Sequence, residues 1–376
     1  MDVASKNGHE CNSSIWSGAK LIAALLCSAC GSPQSPPPTV LSPSAAQGEE
    51  STPACSDLEN ESIEQLDPVE QFNLATCFEK SQRLYDASLI YVRLDDLLRD
   101  PIQGKGRLNS FVRRRVRATG FPARLPLVDS AVGIAVEAQL GEHRGLMLWD
   151  SAAEGSVLDQ RMCVILGLDQ FGDMSVSDSA TSTQLGVAVG LLRRMTLGPI
   201  EISDVPVLCL DLSHVVADEP NFIGVLGGNV LGSSSYQLDL DTKTLTLGGA
   251  IPPGVVYFQG GFFEGMPYIE ADLDGQSTDF IIDTGLDRSS ISQESLDALG
   301  ATAVLSGKKS GFLRANGYTE SEDAFVSFNR FRSGQEQRSD LRMLVGARNL
   351  LGLDFFEQQT LVVDRSTSTI GLIRSR

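Results

Sequence analysis

The chain has 376 residues, room for two or three compact domains, and 42% of them are apolar, enough to build real cores. A formal net charge of −18 makes the surface repel nucleic acid and acidic lipid, which argues against a DNA or RNA partner. With only three histidines (His9, His143 and His214), chemistry that depends on imidazole has few places to sit.

Near the N-terminus, Lys20 precedes the apolar run LIAALLCSA. That run is too short to span a bilayer and the right length for the h-region of an export signal. It leads into Cys30 and Gly31 and then into a stretch rich in Pro, Ser, Ala and Glu. Small residues, a cysteine and such a tether resemble a bacterial lipoprotein signal, with residues 1–29 removed and Cys30 lipidated as a membrane anchor. Ordinary secretory cleavage nearby is the alternative. Either route takes the protein out of the cytoplasm, to the periplasm or outer membrane of a bacterial envelope, or beyond it. Residues 30–62 cannot bury enough apolar surface to offset chain entropy, and are expected to be a disordered tether.

Residues 63–101 are expected to form a helical hairpin. Asp67, Pro68 and Glu70 provide a cap, a first-turn proline and a capping-box spacing. Val69, Phe72, Ala75 and Phe78 make one apolar stripe, and Ala87, Tyr91, Leu94 and Leu98 a second, stopped at Asp100 and Pro101. Leu74, Ala75, Phe78, Ala87 and Tyr91 are similar to the packing positions of a tetratricopeptide repeat. A lone repeat leaves a face uncovered, so the hairpin packs on the body of the protein or on an unknown protein partner. A plain hairpin without a recognition role fits equally well. The linker at 102–125 is basic (Arg107, Arg113, Arg114, Arg115, Arg117, Arg124) and reads as a solvated face pairing with local carboxylates, with lipid phosphates or a processing site as alternatives.

From about residue 126 short alternating strands punctuated by Gly, Asp and Ser replace helical periodicity, which predicts a mainly β fold of barrel type. This texture occurs twice, over 126–250 and 251–376. Placing Asp150 on Asp283 also puts Glu137 on Glu270, Leu140 on Leu273 and Ser156 on Ser289 without a gap. Farther on, Val225, Leu226 and Gly227 match Leu350, Leu351 and Gly352, each followed by a strand ending in aspartate, at Asp241 and Asp364. Two copies of a strand–turn–strand unit around an aspartate predict paired lobes. Four cysteines remain beyond the signal. Their even number permits two disulfides, Cys55–Cys77 and Cys163–Cys209, or buried free thiols.

The second copy resembles the retropepsin-like aspartic proteases. The resemblance rests on FIIDTGLDRSSIS, on ANG within SGFLRANGYTES, and on LLGLDFF before a final strand. It implies two tandem acid-protease β-barrel lobes that share one site. Asp283 would be catalytic, Thr284 would brace the lobe junction, and Gly285 would let backbone approach the carboxylates. Gly317 would lie at a flap tip, and Leu351 and Gly352 would support the loop. In the first copy Asp150, Ser151, Ala152, Leu226 and Gly227 take those places, with Ser for Thr and Ala for Gly.

The implied reaction is peptide-bond hydrolysis on a peptide or protein substrate, with no metal, no cofactor and no covalent intermediate. Two close carboxylates share one proton; one activates a water while the other protonates the scissile carbonyl. Two alternatives stand beside this. One is a catalytically silent, peptide-binding protein of the same fold, and the other an enzyme active only as a homodimer through two copies of Asp283.

Overall fold

The computed structural model describes residues 116–374 apart from 169, 178–183, 218, 264, 303 and 315–316, together with Ile63, Leu66, Gln71, Leu74, Ala75, Cys77, Phe78 and Ile90. The export signal, Cys30, the tether, Arg107 to Arg115 and most of the expected helical hairpin lie outside the described residues. Of the hairpin's packing positions, Leu74, Ala75 and Phe78 are helical and buried, clustered with Leu66 and Ile90.

The first half contains β1 (Arg117–Thr119), β2 (Ala123–Pro126), β3 (Val128–Ser130), β4 (Gly133–Leu140), β5 (His143–Trp149), β6 (Ser156–Asp159) and α1 (Gln160–Ile165). It continues with β7 (Gln170–Ser177), β8 (Gln184–Leu197), β9 (Ile200–Leu210), α2 (Ser213–Val216), β10 (Phe222–Leu226), α3 (Gly228–Leu231), β11 (Tyr236–Asp239) and β12 (Thr244–Leu247). The second half contains β13 (Val256–Tyr257), β14 (Gly260–Phe263), β15 (Met266–Leu273), β16 (Gln276–Ile282), β17 (Ser290–Ser292), α4 (Gln293–Ala298), β18 (Val304–Arg314) and β19 (Gly317–Phe328). Then come β20 (Phe331–Ser333), β21 (Glu336–Arg338), β22 (Leu341–Gly346), β23 (Leu350–Leu351), a 3₁₀ turn at Leu353–Phe356, β24 (Gln359–Asp364) and β25 (Thr369–Arg374).

The strands form where alternation gives one face to the core. In β15 Met266, Ile269, Ala271 and Leu273 are buried between half-exposed neighbours, and in β4 Ala138 and Leu140 flank exposed Gln139. The first-half sheet runs β1-β9-β6-β10-β5-β4-β8-β7, with β3 beside β4, and the pairing of β8 with β9 closes six of these strands into a barrel. The second-half sheet runs β18-β19-β22-β17-β23-β16-β15-β20-β21, with β14 beside β15. From β5 through β10, β6 and β9 the first order has its counterpart in β16, β23, β17 and β22. Strand β20 lies beside β15 as the end of β8 lies beside β4, Arg332 opposite Asp272 and Thr196 opposite Gln139.

A third sheet, β13-β25-β24-β11-β12-β2, is built from both halves and joins them. Its central pairing is antiparallel and sets Tyr236 opposite Val363, Gln237 opposite Val362 and Leu238 opposite Leu361. Gln237 and Val362 stand at the spacing that relates Gly227 to Gly352, so Gln237 faces its own counterpart and a pseudo-twofold axis passes there. The same register corrects one sequence alignment. Asp239 pairs with Thr244 as Asp364 pairs with Thr369, so Asp239, not Asp241, is the counterpart of Asp364.

One hydrophobic core runs through all three sheets and includes Trp149, Tyr236, Phe280 and Phe355. A disulfide joins Cys163 of α1 to Cys209 of β9, which decides between the two fates open to those cysteines. Cys77 is also disulfide-bonded, and its expected partner Cys55 lies outside the described residues.

Candidate active site

Strands β5 and β16 end at the same point of the two halves and deliver Asp150 and Asp283. Each is held by a parallel neighbour: Leu226 of β10 lies opposite Trp149, and Leu351 of β23 opposite Ile282. The Leu226 carbonyl accepts from the Asp150 N–H at 3.2 Å, and the Leu351 carbonyl from the Asp283 N–H at 2.9 Å. The glycines that follow let the aspartate loops come close. A Cβ on Gly227 would sit 2.3 Å from the Gly155 carbonyl oxygen, and one on Gly352 2.7 Å from the Arg288 carbonyl carbon.

A second tier fixes each loop from below. The Ser156 hydroxyl donates to Asn229 Oδ1 at 2.7 Å and accepts from the Gly227 N–H at 3.1 Å. The Ser289 hydroxyl does the same with Asp354 Oδ1 at 2.7 Å and with the Gly352 N–H at 3.1 Å. Asn229 and Asp354 were not singled out from sequence. Their signal is an Asx two residues beyond the glycine in both copies, LGGN and LGLD.

The two loops grip each other through four reciprocal hydrogen bonds. Ser151 N–H donates to Thr284 Oγ1 at 3.0 Å, and Thr284 N–H to Ser151 Oγ at 3.1 Å. Ser151 Oγ donates to the Ile282 carbonyl at 2.6 Å, and Thr284 Oγ1 to the Trp149 carbonyl at 2.7 Å. Serine at 151 therefore supplies the same hydroxyl function as threonine at 284. Trp149 turns into the core, with its ring edge-on to Tyr236 at 5.4 Å.

Asp150 and Asp283 are both fully buried. Asp150 Oδ1 accepts from the Ala152 N–H at 2.9 Å and from the Ala153 N–H at 3.0 Å, and Asp283 Oδ1 from the Gly285 N–H at 3.0 Å. Alanine at 152 thus keeps the bond that glycine makes at 285. The Oδ2 atoms of both aspartates have no hydrogen-bond partner among the described residues. Burial pushes the Asp150 carboxyl up to about 6 against the pull of its two N–H donors. Asp283 lies well above the usual carboxylate range, first through burial and then through the nearby charge of Asp150. Such a pair resists double ionisation and retains one proton between its members.

Gly317 opens β19 opposite Arg314, at the closed end of the β18–β19 hairpin. The first half has a matching hairpin, β7–β8, whose sequence carries no counterpart of the ANG triplet.

Residues 136–230, which include Asp150, Ser151, Leu226, Gly227 and Asn229, match the family model described as aspartyl protease. This segment of the chain is similar to an aspartyl protease domain, a likeness that suggests aspartic-type peptidase activity. Among solved structures, a retropepsin-like aspartic protease from Rickettsia conorii matches with 22% identity, over 32% of this chain and 89% of that one, with a TM-score of 0.25. No curated protein matches the chain.

Proposed function

We propose that the chain is a single-chain aspartic endopeptidase of retropepsin-like, two-lobe type, with Asp150 and Asp283 as its catalytic dyad. The observation that carries this reading is the reciprocal Ser151–Thr284 grip, which brings two buried aspartates near enough for one charge to raise the other's pKa. The ionised member takes a proton from a water between the carboxylates, and the protonated member donates to the scissile carbonyl. The two members titrate as a pair that shares one proton. Gly317 belongs to a flap over the substrate, and Leu226, Gly227, Leu351 and Gly352 to the loop supports. Both aspartates belong to one chain, so a second copy is not needed to complete the site. Export, lipidation at Cys30 and residence in a bacterial envelope complete the proposal, on the N-terminal sequence alone.

The test is cleavage of a mixed peptide library by the full chain and by Asp150→Asn and Asp283→Asn. Loss of cleavage in both variants is expected. Cleavage surviving in Asp150→Asn would point instead to a dimer built on Asp283, and a wild-type chain that binds peptides without cutting them would be the silent form.

A further inference from the structure

The two halves differ in charge beside their aspartates. Arg288 follows Asp283 at the distance at which Gly155 follows Asp150, in loops that match without a gap as far as Ser289 and Ser156. Parallel pairing sets Ser290 opposite Leu344 and Val157 opposite Leu208, so Arg342 of β22 corresponds to Pro206 of β9. Phe325 of β19, opposite Leu344, corresponds in turn to Val189 of β8, opposite Leu208. The second half thus carries Arg, Arg and Phe where the first carries Gly, Pro and Val.

These three side chains meet. The Arg342 guanidinium lies 3.9 Å from the centre of the Phe325 ring, and that of Arg288 lies 6.0 Å from it. Both arginines are exposed, and among the described residues neither side chain makes an ion pair or a hydrogen bond. Asp354, beneath the loop, gives Oδ1 to the Ser289 N–H and hydroxyl and forms no ion pair with Arg288. A guanidinium stacked on a ring keeps its charge and the N–H donors along its edge, which fit a carboxylate. From Asp283 to Ser289, Arg288 is the one exposed residue. Phe325 lies on the strand that begins at Gly317, so the cluster links the loop of Asp283 to the hairpin read above as a flap. In a chain of formal charge −18, two unneutralised cations beside that loop attract an anion.

We propose that Arg288 and Arg342 determine specificity by binding an acidic side chain, aspartate or glutamate, on one side of the cleaved bond only. The pseudo-twofold axis sends the two halves to opposite sides of that bond, and the first half offers no charge at the equivalent positions. The kinetic readout rests on the peptidase reading; the binding readout does not.

The test uses peptide libraries whose members differ only by Glu, Gln or Lys at one position, scanned along both sides of the bond. The full chain is expected to favour Glu over Gln about tenfold in kcat/KM at a position on one side, and less at high salt. That ratio should fall to near one in Arg288→Gln, and Arg288→Glu should favour Lys over Gln. Each ratio is taken within one variant, so a general loss of activity cancels. Equal cleavage of Glu and Gln peptides at every position, or a Glu preference that persists when Arg288→Gln and Arg342→Gln are combined, would overturn the proposal. Should the chain cleave nothing, equilibrium binding of the same libraries decides. Tighter binding of the Glu members, lost in Arg288→Gln, would support the acidic recognition and count against the peptidase reading alone. Equal binding of Glu and Gln members would overturn the recognition itself.

Discussion

Ser151 and Thr284 each donate a backbone N–H to the other's hydroxyl, and each hydroxyl donates to a backbone carbonyl of the opposite half. All four atoms sets are buried, so no water can replace a lost partner. Thr284→Val keeps the shape and removes one donor and one acceptor. We expect a loss of about 2–4 kcal/mol in stability and of about 100-fold in kcat. Urea titration and steady-state kinetics on the same preparation measure both, and a variant within twofold of wild type in rate would contradict the proposed role.

The dyad's titration sets a pH window. Below about 6 both carboxylates hold protons, because Asp150 is raised to about that value and Asp283 is raised well above its ordinary range. The base is then missing. Cleavage should rise as pH increases through about 6 and fall when the dyad loses its second proton. A kcat/KM profile that peaks near pH 4 would contradict the burial-driven shift.

The same shift affects stability. Asp150 moves from 3.8 unfolded to about 6 folded, so between those values the native state binds more protons than the unfolded chain. Its contribution is therefore lost as pH rises through that window. Asp150→Asn mimics the protonated acid at every pH. The variant should match wild type below about pH 4 and exceed it above pH 7 by on the order of 3 kcal/mol. Urea midpoints at pH 3.5 and pH 8 give the comparison. A variant less stable than wild type at pH 8 would show that Asp150 is favourably ionised.

Away from the dyad, Glu336 is 1% exposed and receives Arg338 Nε at 2.9 Å and Arg374 Nη2 at 2.8 Å. Arg338 also donates to Gln359 Oε1 at 2.6 Å and to the Phe355 carbonyl, and its guanidinium lies 3.7 Å from the centre of the Phe355 ring. This network ties the hairpin β20–β21 to β24, β25 and the turn that carries Asp354. Removing the Glu336 charge leaves the mostly buried Arg338 without its carboxylate, while Arg374 stays in water. Glu336→Gln should cost about 3 kcal/mol, read as a lower unfolding midpoint, with KM unchanged. A cost below about 0.5 kcal/mol would mean that the pair behaves like an exposed one.

The likeness of the two halves is legible in the sequence because strand alternation, the aspartates and the Leu–Gly pairs recur in the same order, and the strands adopt that alignment at Leu226 and Leu351. The spacing changes between the aspartate and the Leu–Gly element, and no local signal marks where. Beyond that element the first copy offers two aspartates, Asp239 and Asp241, and only the strand register selects Asp239 as the counterpart of Asp364. Asn229 and Asp354 escape notice because their partners, Ser156 and Ser289, lie far away in sequence, and a lone Asx after glycine is common in turns. The β7–β8 hairpin has no counterpart of the ANG triplet, so its likeness to β18–β19 rests on pairing alone. Cysteine parity allowed the Cys163–Cys209 bond without selecting it, since that choice depends on where α1 packs against β9.

The joining sheet bears on how the chain is made. Synthesis proceeds from the N-terminus, so β11 emerges well before β24, the strand that pairs with it. Until then the nascent first half presents an unsatisfied strand edge with Tyr236 and Leu238 along it, the kind of edge through which two incomplete chains join to each other.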